Sequence, residues 1–62
     1  MDAAALLDIY EEAHDEAVAR GIDSEMAHNE AVTAASMMLA AMEGVEDEQA
    51  RNQIEKLIDE LG

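Results

Sequence analysis

Two short motifs carry the most legible chemistry in this chain: Glu11-Glu12-Ala13-His14 and Glu25-Met26-Ala27-His28. Each sets a Glu three positions before a His. On a helix those positions share a face, so one carboxylate and one imidazole could grip the same divalent metal. In ferritin-like carboxylate bundles this pair occurs once on each of two helices, with a further Glu from each of two others. If the chain folds back near Ile22, His14 and His28 come within about one helical turn of each other, and a dimer would gather four such pairs. The surroundings weigh against that site. His28 falls among apolar neighbours while Glu25 lies at their edge, Glu11 belongs to a row of carboxylates, and Glu30 points elsewhere. With 16 acidic residues in 62, a Glu three places before a His also arises by chance. The plainer expectation is that His28 is partly buried against a neighbouring carboxylate and that His14 lies on a helix flank. No cofactor is expected, with a divalent metal on Glu11, His14, Glu25 and His28 as the alternative.

Covalent and acid–base catalysis find little to use. There is no Cys to act as nucleophile, Ser24 stands where a helix begins, and Ser36 lies within a helical stretch. No Gly-rich phosphate loop is present, and the chain is too short to enclose a substrate pocket. The expectation is a protein that is not an enzyme.

The carboxylates themselves are the other candidate. Sixteen acids against three basic residues, Arg20, Arg51 and Lys56, give a net charge of −13. Such a surface repels nucleic acid and anionic membranes and attracts basic protein surfaces, such as those of nucleic-acid-binding proteins. Asp8, Glu11, Glu12, Asp15 and Glu16 are expected to line one face of the first helix. Residues four apart rise about 6 Å, comparable in scale to the charge spacing of DNA. In size and charge the chain is similar to the short acidic phage proteins that mimic DNA, including some anti-CRISPR and anti-restriction inhibitors. The plainer reading is a solvated face, or a surface adapted to high salt.

These side chains must be positioned by helices. The chain has no Pro, three Gly and one aromatic residue, and Ala, Leu, Met and Glu dominate. Asp2 is a fair N-cap for a first helix over about 3–20, stopped by Gly21. Leu6, Leu7, Ile9, Tyr10, Ala13, Ala17 and Val18 fall on its apolar side at 100° per residue. Asp23 or Ser24 caps a second helix over 24–43, with Gly44 at its end. Glu46 or Asp47 opens a third over 47–61, whose stripe is Ala50, Ile54, Leu57, Ile58 and Leu61. Asp47 and Arg51 are spaced for an i,i+4 ion pair. The short first linker predicts an antiparallel hairpin.

The second helix is apolar nearly all round in its later half. Ala31, Ala34, Ala35, Met37, Met38, Leu39 and Met42 are expected to form an oligomer interface, with alanines allowing close approach and methionines filling gaps. Size supports this: ~60 residues bury only about 60 % of their unfolded surface, and without Cys there is no disulfide staple. The apolar run from Ala31 to Met42 is too short to span a bilayer, and no basic segment precedes it to form a signal peptide. A cytoplasmic location is expected, host cytoplasm if phage-encoded.

One stretch resembles the small ChaB-like helical proteins of bacteria and viruses. Ile9-Tyr10-Glu11-Glu12-Ala13, then Ala17, then Glu25-Met26-Ala27-His28 with Ala31 and Ala34, is similar to that family's Ile-Tyr-x-x-Ala and Ala-His-x-x-Ala pattern. The likeness covers residues 9–35. The family's Trp after the second motif is replaced here by Val32, and its basic C-terminal part by an acidic one. The resemblance implies a small helical fold and a role in regulating cation transport. The whole chain, 1–62, is thus expected to be one all-α domain: a helical hairpin plus a third amphipathic helix in a homo-oligomeric bundle. Its expected function is to dock a basic protein surface. A metal-binding bundle and a plain assembly module are the alternatives.

Overall fold

The computed structural model describes residues 2–61 and is all-helical. Helix α1 spans Ala3–Ala19, α2 spans Ser24–Glu43 and α3 spans Asp47–Leu61. Each boundary has a local cause. The Asp2 carboxylate accepts from the Ala5 N–H at 2.8 Å, and the Asp23 carboxylate accepts from the Met26 N–H at 3.0 Å. Both satisfy a first-turn donor that the helix itself leaves open. Asp23, rather than Ser24, is therefore the cap of α2.

The two helix ends use glycine in different ways. After α1, Gly21 takes φ +89°. Its N–H donates to the Val18 carbonyl at 2.9 Å and the Ile22 N–H donates to that of Ala17 at 3.2 Å. That paired 5→2 and 6→1 closure is a Schellman motif. After α2, Gly44 takes φ +69° and makes the single 5→1 bond to Ala40, at 2.9 Å. Before α3, the Glu46 carbonyl accepts from the Ala50 N–H.

Helix α2 is the hub: α1 and α3 both pack on it and touch each other little. The interior is made from one face of α2 (Ala27, Ala31, Val32, Ala35, Ser36 and Leu39) with Leu6 and Ala17 from α1 and Ala50 and Ile54 from α3. Ile9, Tyr10, Val45, Leu57 and Ile58 close over the edges. The seams rest on small residues, since Ala17, Ala27, Ala31, Ala35 and Ala50 are all fully buried. Among the described residues Ser36 is the one buried polar side chain, and its hydroxyl donates to the Val32 carbonyl at 2.6 Å.

Three expectations change here. Val18, in the last turn of α1 before the Schellman closure, is 47 % exposed rather than part of the core face. Leu61, at the end of α3, is exposed too. Arg51 does not pair with Asp47; it turns toward α2, donating to Thr33 Oγ1 at 3.1 Å, and lies 3.5 Å from Glu55.

No described helix is long and apolar enough to cross a membrane.

Candidate interaction surfaces

The two Glu-x-x-His pairs are not gathered around one point. Among the described residues no group of three or more His, Asp or Glu side chains is placed to hold an ion. The reason is a competing partner. His28 Nδ1 is hydrogen-bonded to the Tyr10 hydroxyl at 2.7 Å, not to a carboxylate as the sequence suggested. Tyr10 stands between the two imidazoles, its ring centroid 5.8 Å from that of His14 and 5.6 Å from that of His28. Glu11 and Glu25 are exposed, and His14 lies 4.0 Å from the exposed Asp15. The arrangement is therefore an aromatic clasp between α1 and α2. Burial raises the Tyr10 hydroxyl above its ordinary pKa, since the phenolate loses hydration there.

The expected interface on α2 is also narrower than its sequence suggested. Ala31, Ala35 and Leu39 are 0 %, 0 % and 2 % exposed within the single chain. They belong to its own interior and cannot meet another molecule. Ala34, Met37, Met38 and Met42 remain at the surface.

The outward strip that does exist was not fully read from the sequence. Met26, Asn29, Glu30, Thr33, Ala34 and Met37 line a shallow depression of about 410 Å³ along α2. Met26 is 59 % and Met37 62 % exposed. The spacing 26, 30, 33, 37 is a helical stripe that could have been found, but it was masked by the stronger alanine-rich stripe beside it. Its edges hold two of the three basic residues. Arg20 donates to Glu30 at 3.1 Å, and Arg51 donates to Thr33, whose hydroxyl in turn donates to the Asn29 carbonyl at 2.8 Å. A second depression of about 310 Å³, lined by Thr33, Ser36, Met37, Asp47, Glu48 and Arg51, continues the strip toward α3.

Compared with known protein families, with curated proteins and with solved structures, the chain matches none.

The carboxylate face of α1 is laid out as two rows, Asp8-Glu12-Glu16 and Glu11-Asp15, each stepping by one i,i+4 interval. All five side chains are exposed, and among the described residues none is ion-paired with an Arg or Lys. Like charges at i,i+4 each cost a helix about 0.2–0.5 kcal/mol, so this face is held at the expense of stability.

Proposed function

We propose that the chain is a non-enzymatic acidic interaction module: a helical hairpin with a third helix, homo-oligomeric, whose α1 face docks a basic protein surface. The observation that carries this reading is the pair of exposed carboxylate rows, Asp8-Glu12-Glu16 and Glu11-Asp15, free of Arg or Lys partners. Surface carboxylates in rows without Arg or Lys partners steer and hold a positively charged partner, and they repel nucleic acid and anionic lipid. The concrete form of the reading is a DNA mimic of the anti-CRISPR or anti-restriction kind, because rows stepping by about 6 Å present charge on the scale of a phosphate backbone.

The test is competition with duplex DNA for purified DNA-binding enzymes, measured at about 0.05 M and 0.2 M salt. Displacement of DNA that weakens with salt and is lost in Glu12→Lys/Asp15→Lys is the expected result. Displacement that survives that charge reversal, with helicity intact by circular dichroism, rules the docking face out.

A further inference from the structure

We infer that the exposed strip of α2 is the surface on which a second copy of this chain docks, with the two α2 helices antiparallel and crossing between Thr33 and Ala34. This rests on the homo-oligomeric part of the reading above and is independent of the acidic docking face.

The first argument is charge. Two chains of net charge −13 repel wherever their carboxylates meet. At ~0.15 M salt screening acts beyond about 8 Å, so the groups that come into contact decide the outcome. Residues 31–42 of α2 contain no ionisable side chain. The first depression holds a single carboxylate, Glu30, and that one is already paired with Arg20. At the other edge Arg51, bound to Thr33, stands with Asp47 and Glu48. Along residues 31–42 a second copy can therefore approach without opposing rows of carboxylates, which the α1 face does not allow.

The second argument is shape. A two-fold interface brings each residue of one copy against a fixed residue of the other. With the crossing between Thr33 and Ala34, Met26 lies over Ala41 of the second copy, Glu30 over Met37, and Thr33 over Ala34. Large side chains then meet small ones at the two ends, and the small central pair lets the helices close. The strip runs ~22 Å from Met26 to Ala41 on a helix ~10 Å across, which is less than the roughly 800 Å² per partner of a standard interface. The dimer is accordingly a weak one that forms and dissociates with concentration.

Light scattering and sedimentation over roughly 5–500 µM, a range suited to an interface below standard size, read the mass. The expected result is a mass rising from 6.7 kDa toward a dimer. Raising salt from about 0.05 to 0.5 M should strengthen association severalfold, because screening relieves repulsion. A basic partner on the same face would be weakened instead. Met26→Glu/Met37→Glu should lower the association constant about tenfold or more, as two exposed anchors are replaced by opposed charges. Val18→Glu, which changes an apolar residue of α1 that is 47 % exposed, should leave it unchanged. Since the chain has no Cys, Ala34→Cys should give an intermolecular disulfide on mild oxidation faster than Val18→Cys does. This readout holds even where the double variant loses helicity. A monomer at every concentration and salt overturns both the strip and the homo-oligomeric reading and leaves acidic docking standing. A dimer that survives the double variant with helicity intact, or that cross-links as fast through Val18→Cys, overturns the strip alone.

Discussion

The Tyr10 hydroxyl lies 2.7 Å from His28 Nδ1, joining the middle of α1 to the first third of α2. In the neutral tautomer with its proton on Nε2, His28 accepts and the phenol donates. Net hydrogen bonds of this kind contribute about 0.5–1.5 kcal/mol. Tyr10→Phe keeps the ring and removes the bond, so it should lower stability by about 1 kcal/mol, or roughly 4–8 °C in Tm for a domain this small. Thermal melts of the two proteins decide it, and equal Tm values would show that water replaces the phenol at no cost.

The same residue sets an alkaline limit. Its pKa is raised in the folded protein by burial, so the unfolded chain releases the proton first. The associated stability is fully present below the unfolded value of 10.0 and is lost as pH rises through the higher folded value. Urea midpoints should therefore fall from about pH 10 upward in the wild type and fall less in Tyr10→Phe. An identical decline in both would assign the effect to other groups.

The carboxylate rows predict a substitution of opposite sign. Glu12 has Asp8 and Glu16 as its i,i+4 neighbours, and removing its charge relieves both repulsions. Glu12→Gln should stabilise by about 0.5 kcal/mol at low salt, and the gain should shrink as salt screens the rows. A loss of stability would mean that Glu12 supports the fold.

At the start of α2, the cap assignment separates two adjacent residues. Asp23→Ala should cost about 1 kcal/mol because the Met26 N–H loses its acceptor. Ser24→Ala should be neutral or slightly stabilising, since Ser24 is already helical and Ala is the better helix former. Reversal of that order in denaturant titrations would move the cap by one residue.

Much of the helix layout was legible because caps and stops are local chemistry. Asp2, Asp23, Gly21 and Gly44 each act within a few residues of themselves, and the run of helix formers between them needs no distant partner. The interior of α2 was harder to read. Apolar residues surround its later half, so periodicity alone could not say which of Ala31, Ala34, Ala35, Met37, Met38 and Leu39 face inward. That choice is made by where α1 and α3 land. The partners of His28 and Arg51 were missed for the same reason. Both lie on another helix, Tyr10 and Thr33 respectively, 18 residues away in each case. Local spacing instead offered Glu25 and Asp47. The Glu-x-x-His motifs show how an acid-rich composition produces ligand spacing where the described side chains do not gather three at one point.

Core substitutions should divide sharply. Ile54 is 1 % exposed and Val32 fully buried, and Ile54→Ala should cost about 2–5 kcal/mol. A core this small supplies roughly 3–5 kcal/mol in total, so the variant should be largely unfolded by circular dichroism at room temperature. Met42→Ala, at a residue 64 % exposed, should change stability by less than about 0.5 kcal/mol. Cooperative unfolding of Ile54→Ala at a midpoint like that of the wild type would show that the core described here does not hold the protein together.

The alanine seams reverse the usual expectation about which positions are free to change over generations. Met42, exposed near the end of α2, could become almost any residue that tolerates a helix, and the fold would not register it. Ala17, Ala27, Ala31, Ala35 and Ala50 have no such latitude, since even one added methylene must push two backbones apart. The smallest side chains in this protein are thus its most constrained letters, and descendants of this sequence should be recognisable by where alanine recurs.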